Sequence, residues 1–279
     1  MIQRKIEDDF YFSIQNFPVT GLIGPRQVGK TTLAKTASYT SNSIYLDLEK
    51  NSDLNKIEDP ELFFTEYQDS TIILDEIQHV PNLFPLIRSM VDENRRPGKF
   101  IILGSASPEL LRQSSESLAG RINYLEMTPL NLLEINPEGQ NNLWLMGGFP
   151  EPYLKDNKRF TTEWYRSFIA SYVQRDLPNY GLPADPSITR KFLMMIASSN
   201  GGVLNYSTFG KSLGLTIPTI KTYLSFLIEA FLVRELPSWH MNIKKRLVKS
   251  PKLYFRDTGM LHNLLGISSL ENLFGNIVL

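Results

Sequence analysis

The 279-residue chain contains no cysteine. Disulfides, thiolate nucleophiles and cysteine-based zinc sites are therefore excluded. Its three histidines, His79, His240 and His262, are too scattered to form a pair at metal-ligand spacing. No run approaches the roughly 20 uncharged apolar residues that a bilayer-crossing helix requires. The opening Met1–Asp9 is too polar for a signal peptide, so a soluble cytoplasmic protein with no membrane partner is expected. The chemistry is left to carboxylates, hydroxyls and cations. An excess of one charge is also missing, because 29 Lys and Arg balance 29 Asp and Glu. Split near residue 140, the balance resolves into 13 minus 20, or −7, followed by 16 minus 9, or +7. The two halves are expected to meet different partners. A composition of 42% hydrophobic and 21% charged residues is that of a globular protein, and the length favours two domains over one.

From residue 18 to 127, short β-rich runs alternate with helix-like stretches, the signature of a parallel sheet with helices on both faces. Strands are expected at Val19–Ile23, Ser43–Leu48, Thr71–Leu74, Lys99–Leu103 and Arg121–Met127, with helices at Lys30–Ser38, Glu61–Tyr67, Leu83–Asn94 and Pro108–Ala119. In such α/β sheets, ligands bind beyond the carboxyl ends of the strands. Past Pro129 the turn-forming Asn136–Asn142 leads into mostly helical sequence up to about residue 200, read as a lid. After Asn200-Gly201-Gly202, a short helix, the Gly214 break, a longer helix and two β-like runs follow the order of a winged helix-turn-helix. The resulting division is a core at 1–135, a lid at 136–200 and a winged-helix segment at 201–279.

Strand Val19–Ile23 runs into Gly24-Pro25-Arg26-Gln27-Val28-Gly29-Lys30-Thr31-Thr32, which fits the Walker A pattern of a phosphate-binding loop. Glycines allow the turn that aims successive N–H groups inward, and the following helix offers its positive dipole end to an anion. At this composition, chance produces the pattern in about one such chain in a hundred. Lys30 is expected on the β- and γ-phosphates, and the Thr31 hydroxyl on Mg²⁺. The run Thr71-Ile72-Ile73-Leu74-Asp75-Glu76 supplies the second half of the site. Asp75 stands where a Walker B aspartate holds the metal, and Glu76 is the expected polariser of the attacking water. The run Phe100–Leu103 delivers Ser105 to the same sheet edge, where a hydroxyl could orient that water. Arg121 has two readings, a finger toward a neighbouring subunit's nucleotide or a surface arginine paired with a carboxylate. No Asn-Lys-x-Asp element for guanine occurs, since Asn157-Lys158-Arg159-Phe160 lacks the aspartate. ATP is thus favoured over GTP.

Further motifs carry a resemblance. Gly24–Leu33, Leu74-Asp75-Glu76-Ile77-Gln78, Leu118-Ala119-Gly120-Arg121, Gly147-Gly148-Phe149-Pro150-Glu151, Tyr172-Val173-Gln174-Arg175-Asp176-Leu177 and Lys249–Gly259 together resemble the prokaryotic AAA-superfamily ATPases that carry a C-terminal domain of unknown function. The resemblance implies an AAA-type core, a helical lid, a winged helix and ATPase activity. It also implies that Pro150, in Gly148-Phe149-Pro150, packs against the adenine or ribose, as a Gly-x-Pro element does in related signalling NTPases. A turn is the alternative. Arg175 and Asp176 match a family motif open to nucleotide sensing or an ion pair. Members of the family usually continue into a nuclease-like domain, which this chain, ending at Leu279, lacks, so no nuclease activity is expected.

In the basic half, the helix from Pro218 to Phe231 puts Ile220, Leu224, Leu227, Ile228 and Phe231 on one stripe and leaves Thr219, Lys221, Thr222 and Ser225 elsewhere. Lys244, Lys245, Arg246, Lys249, Lys252 and Arg256 follow, a wing that could contact DNA phosphates or dock on an acidic protein surface. These features point to a Mg²⁺-dependent ATPase switch acting on a protein or DNA partner, with a homo-oligomer as the expectation that the finger reading of Arg121 carries. The alternative is a DNA-binding regulator that holds ATP without significant turnover.

Overall fold

A computed structural model of the chain describes residues 2–38, 42–105, 118–239 and 250–275. Its contacts divide the chain into two compact units, Met1–Thr128 and Pro129–Leu279.

The first unit is built on a five-stranded sheet: β1 Val19–Gly24, β2 Ser43–Asp47, β3 Thr71–Asp75, β4 Phe100–Ser105 and β5 Ile122–Glu126. The spatial order is β2-β3-β4-β1-β5, and every pairing is parallel. Strands β3 and β4 are buried along their whole length, as unbroken runs such as Ile72-Ile73-Leu74 and Phe100–Leu103 require of a sheet covered on both faces. The edge strands β2 and β5 are only partly buried. The longer helices described in this unit are α1 Glu7–Asn16, α2 Lys30–Ser38, α3 Pro60–Glu66 and α4 Leu83–Glu93. Helix α3 starts where Asp59 caps Leu62 N–H and Pro60 occupies the first turn, which needs no N–H donor there. Helix α4 buries Leu83, Phe84, Ile87, Met90 and Val91, spaced along one face, in the core formed with Ile72, Leu74, Phe100 and Ile102. The five expected strands all form, within two residues of their expected ends. Helix α1 was not expected from the sequence, because only Phe10 and Ser13 of its ten residues are buried and its apolar stripe is weak. The expected helix Pro108–Ala119 falls mostly outside the described residues.

The second unit contains α5 Gln140–Met146, α6 Pro150–Lys155, α7 Lys158–Ser171, α8 Pro186–Ser198, α9 Tyr206–Leu213 and α10 Ile217–Glu229, then β6 Val233–Leu236, β7 Lys252–Phe255, α11 Thr258–Leu265 and α12 Leu270–Gly275. Asn205 caps α9, Gly214 ends it in the left-handed conformation (φ +69°), and Thr216 caps α10. Helix α10 buries Ile220, Leu224 and Leu227 as its pattern predicts. It also buries Tyr223, whose hydroxyl donates to Pro183 O at 3.0 Å, while Ile228 is only partly buried. Phe231 lies beyond the helix, at φ +55°, with the Arg256 guanidinium 5.1 Å above its ring. β6 and β7 pair antiparallel, and Val203 bridges the far side of Lys252. Lys244, Lys245, Arg246 and Lys249 lie outside the described residues.

Candidate functional site

The order β3-β4-β1 sets the ends of three strands side by side. Gly24, the last residue of β1, pairs with Ser105, the last of β4. β3 lies on the other side of β4, with Leu74 level with Ile102. The sheet therefore presents the loop after Gly24, the Asp75-Glu76 pair and Ser105 along one carboxyl edge.

Backbone shape makes the loop after β1. Gly24 has φ +147°, and a Cβ there would lie 2.2 Å from the Met127 carbonyl oxygen. Gln27 and Gly29 also take positive φ, 63° and 101°, conformations that turn consecutive N–H groups toward one concavity. Helix α2 begins at Lys30, so its first-turn N–H groups lack intrahelical acceptors and face the same place. Arg4 braces the loop, donating to Val28 O at 2.7 Å and Thr128 O at 2.5 Å. Arg26 instead pairs with Glu49 at 3.0 Å, and Glu49 also meets His79 Nε2 at 3.3 Å.

Lys30 is 5% exposed, and its ammonium donates to the carbonyls of Gly24 and Pro25, both at 2.9 Å. Burial brings its pKa down to about 8 against the pull of Glu76 and Asp75, with Arg26 lowering it further. A buried cation held by neutral carbonyls beside a ring of N–H donors has the chemistry of a polyphosphate cradle.

Thr31 Oγ1 donates to Asp75 Oδ2 at 2.7 Å, which leaves the hydroxyl lone pairs free to ligate a cation. Tyr45 OH donates to the same Oδ2 at 2.7 Å, and Asp75 Oδ1 accepts the Glu76 N–H at 3.0 Å. Burial, then the bond to Asp75, pushes the Tyr45 phenol well up, so it stays a donor. Hard oxygen donors of this kind suit Mg²⁺. Among the described residues, no cluster of three or more His, Asp or Glu competes as a metal site.

Glu76 occupies the left-handed region (φ 54°, ψ 46°), which costs a non-glycine residue about 1 to 2 kcal/mol. This turn swings its carboxylate back to β4. There Oε2 accepts Ser105 Oγ–H at 2.6 Å, Ser105 N–H at 3.4 Å and the Gln78 amide. Burial raises the Glu76 carboxyl, but the Ser105 bond, the Lys30 charge, the Gln78 amide and Arg26 outweigh it, leaving the pKa below the usual carboxylate range. The group is ionised, as a proton acceptor must be. The geometry thus brings Lys30, Thr31, Asp75, Glu76 and Ser105 together. It adds Arg4 and Tyr45, which no spacing in the sequence marks, and Gln78, which the sequence marks as part of a motif without a role.

Arg121 is not among them. Arg121 O accepts the Val19 N–H at the start of β1, so it sits at the opposite end of the sheet from the loop. Its guanidinium embraces Asp92 through Nε at 2.6 Å and NH2 at 2.8 Å.

In the second unit, Pro150 opens α6 and Phe149 packs among Trp164, Tyr165 and Phe168. Gly148 N–H donates to Asp257 Oδ2 at 2.7 Å, and Gly148 O accepts the Leu130 N–H at 2.7 Å. A Cβ on Gly148 would lie 2.2 Å from Leu130 O, and one on Gly147 2.2 Å from the Tyr165 hydroxyl, so both glycines are needed for close approach. Asp257 also caps α11 through Met260 N–H at 2.7 Å. Arg175 Nε pairs with Asp176 Oδ1 at 3.1 Å inside a π-helical turn, Tyr172–Asp176.

A Walker A loop and a Walker B pair at the edge of a parallel sheet define a P-loop protein. Residues 16–136 match the family described as "AAA domain", and residues 138–271 match "Domain of unknown function (DUF8612)". The chain thus carries an AAA-superfamily domain followed by a C-terminal domain of unknown function. The uncharacterized proteins Rv2008c of Mycobacterium tuberculosis and Mb2031c of Mycobacterium bovis are each 36% identical to it over 255 residues. The match covers 91% of this chain but 58% of theirs, so the chain spans little more than half the length of these relatives. The Walker-type ATPase PABY2304 of Pyrococcus abyssi shares the fold, with a TM-score of 0.66 at 16% identity over 95% of this chain and 96% of that one. Among the described residues, no helix is long and apolar enough to cross a membrane.

Proposed function

We propose that the chain is a Mg²⁺-dependent ATPase whose nucleotide state switches a protein or DNA partner. The observation that carries this reading is the ionised Glu76 carboxylate, held by Ser105 beside a buried Lys30 and a Thr31–Asp75 pair. The residues Gly24, Pro25, Arg26, Gln27, Val28, Gly29, Lys30, Thr31 and Thr32 bind the phosphates through N–H groups and the Lys30 ammonium. Thr31 and Asp75 hold the metal, directly or through its water. A Mg²⁺ held by these residues would supply positive charge to offset that of the phosphates. Glu76 accepts a proton from the attacking water, and Ser105 fixes the carboxylate that receives it.

Arg121 has a catalytic role only through a second copy of the chain. The six-residue strand β1 separates it from its own loop by about 20 Å at about 3.3 Å per residue. In the second unit we propose a lid at 136–200, with Pro150 toward the adenine, and a winged helix at 201–279. The capped α9–α10 pair followed by the β6–β7 ladder supports the winged helix. A DNA-facing role draws support from the exposed Lys211, Lys221, Thr222 and Ser225, with no acid on either helix before Glu229. Phosphate release from ATP with and without Mg²⁺, by wild type and Lys30→Ala, tests the ATPase. Equal release in both overturns it. For DNA, reversing Lys244, Lys245 and Lys249 should flatten the slope of log affinity against log salt by about 3 units. An unchanged slope removes nucleic acid as the partner.

A further inference from the structure

Gln78, two residues beyond Glu76 on the short turn Ile77–His79, has a side chain whose two ends are treated differently. Its Nε2 donates to Glu76 Oε2 and lies 3.4 Å from Ser105 Oγ. Its Oε1 is buried and has no hydrogen-bond partner among the described residues. Leaving a buried acceptor unmade costs about 1 to 3 kcal/mol, and such an atom in a folded interior calls for a specific partner. The reverse amide orientation offers no relief, because it would aim an oxygen at the ionised Glu76 carboxylate. The described donors to Glu76 all converge on Oε2, which leaves Oε1 as its proton-accepting atom.

We propose that Gln78 is a catalytic residue of the ATPase reading, on which this inference rests: its Oε1 accepts the second hydrogen of the water that attacks the γ-phosphorus. A water has two hydrogens, and one acceptor leaves it free to rotate. With Glu76 Oε1 on one hydrogen and Gln78 Oε1 on the other, the oxygen lone pair is aimed. In the step, a bond forms from the water oxygen to the γ-phosphorus, and the bond from phosphorus to the bridging oxygen breaks. The electron pair departs with ADP. One water proton passes to Glu76 and then to solvent, while the other stays on the oxygen that becomes part of inorganic phosphate.

Three variants test this. Gln78→Ala removes both ends and the volume, Gln78→Lys keeps a donor to Glu76 but has no acceptor, and Gln78→Met removes both polar ends, the orphaned oxygen among them, at similar volume. In the ligand-free protein, Gln78→Met should melt at the wild-type temperature or above. Gln78→Ala and Gln78→Lys should each lower kcat about 10²-fold, the scale of a misplaced reactant, with affinity for labelled ATP changed less than about twofold. Binding of ADP with aluminium fluoride, which mimics the transition state, should weaken with kcat in both, while binding of ADP alone holds. Wild-type turnover by Gln78→Lys overturns the proposal, since Gln78 would then only pin Glu76. Loss of ATP affinity equal to the loss of kcat overturns it too. A wild type that binds ATP without hydrolysing it defeats the ATPase reading itself, whereas a wild type that hydrolyses alongside unimpaired variants defeats this inference alone.

Discussion

Raising the pH should loosen nucleotide binding well before any other phosphate-contacting group of the loop changes charge. The buried Lys30 ammonium titrates near pH 8 in the ligand-free protein, against 10.5 for the free side chain. Phosphate oxygens supply the negative charge that burial withheld, so binding restores a pKa toward 10.5 and takes up a proton. Affinity should therefore hold below pH 8 and fall by up to about tenfold per unit above it. The largest possible loss spans the 2.5 units between the two values, worth about 3 kcal/mol. The sign for stability is the reverse. Between pH 8 and 10.5 the unfolded chain binds the Lys30 proton and the folded chain does not, so this residue's contribution to folding rises by the same amount across that window. Calorimetric titration with ATP at pH 8.5, in buffers of different ionisation enthalpy, reads proton uptake directly. Lys30→Met supplies the reference in which the uptake must vanish. No net uptake in wild type, or an affinity flat from pH 7 to 9.5, would refute a buried, depressed Lys30.

Gly24→Ala drives a Cβ against Met127 O at 2.2 Å, so it should abolish binding of labelled ATP and lower the melting temperature. A wild-type melting curve refutes that constraint. Arg4→Ala removes the brace on Val28 O and Thr128 O and should cost about 1 to 3 kcal/mol in denaturant unfolding, together with ATP affinity. Asp257→Ala strips the acceptor from Gly148 and Met260 N–H and should destabilise the protein by about 2 to 6 kcal/mol, the sum of two buried unmet donors. Proteolysis then should cut first around residues 147–150.

The strands and the phosphate loop were legible because their signals are local. Apolar runs bounded by turns fix β3 and β4, and the spacing of Gly24, Gly29, Lys30 and Thr31 fixes the loop. Ser105 was legible by one step of topology, as a hydroxyl at the end of a strand. The sequence did not show that Ser105 grips Glu76, which depends on β4 lying between β1 and β3 and on a left-handed Glu76. Tyr45 and Arg4 escaped notice because each acts across 24 or more residues, with no spacing to announce it, and Gln78, though part of the motif after β3, gave no sign there of its bond to Glu76. Arg121 was placed correctly near the start of β5, but its partner Asp92 comes from the end of α4, a tertiary pairing. The glycines at 147 and 148 read as a motif in sequence and as close packing on Tyr165, Leu130 and Asp257 in the fold.

The most direct trial of the site is a comparison of wild type with Glu76→Gln on Mg²⁺ and ATP, following bound nucleotide and released phosphate together. An ATPase built on Glu76 requires that wild type releases phosphate and that Glu76→Gln retains ATP with release reduced about 10²-fold or more. Equal release by the two proteins would contradict it.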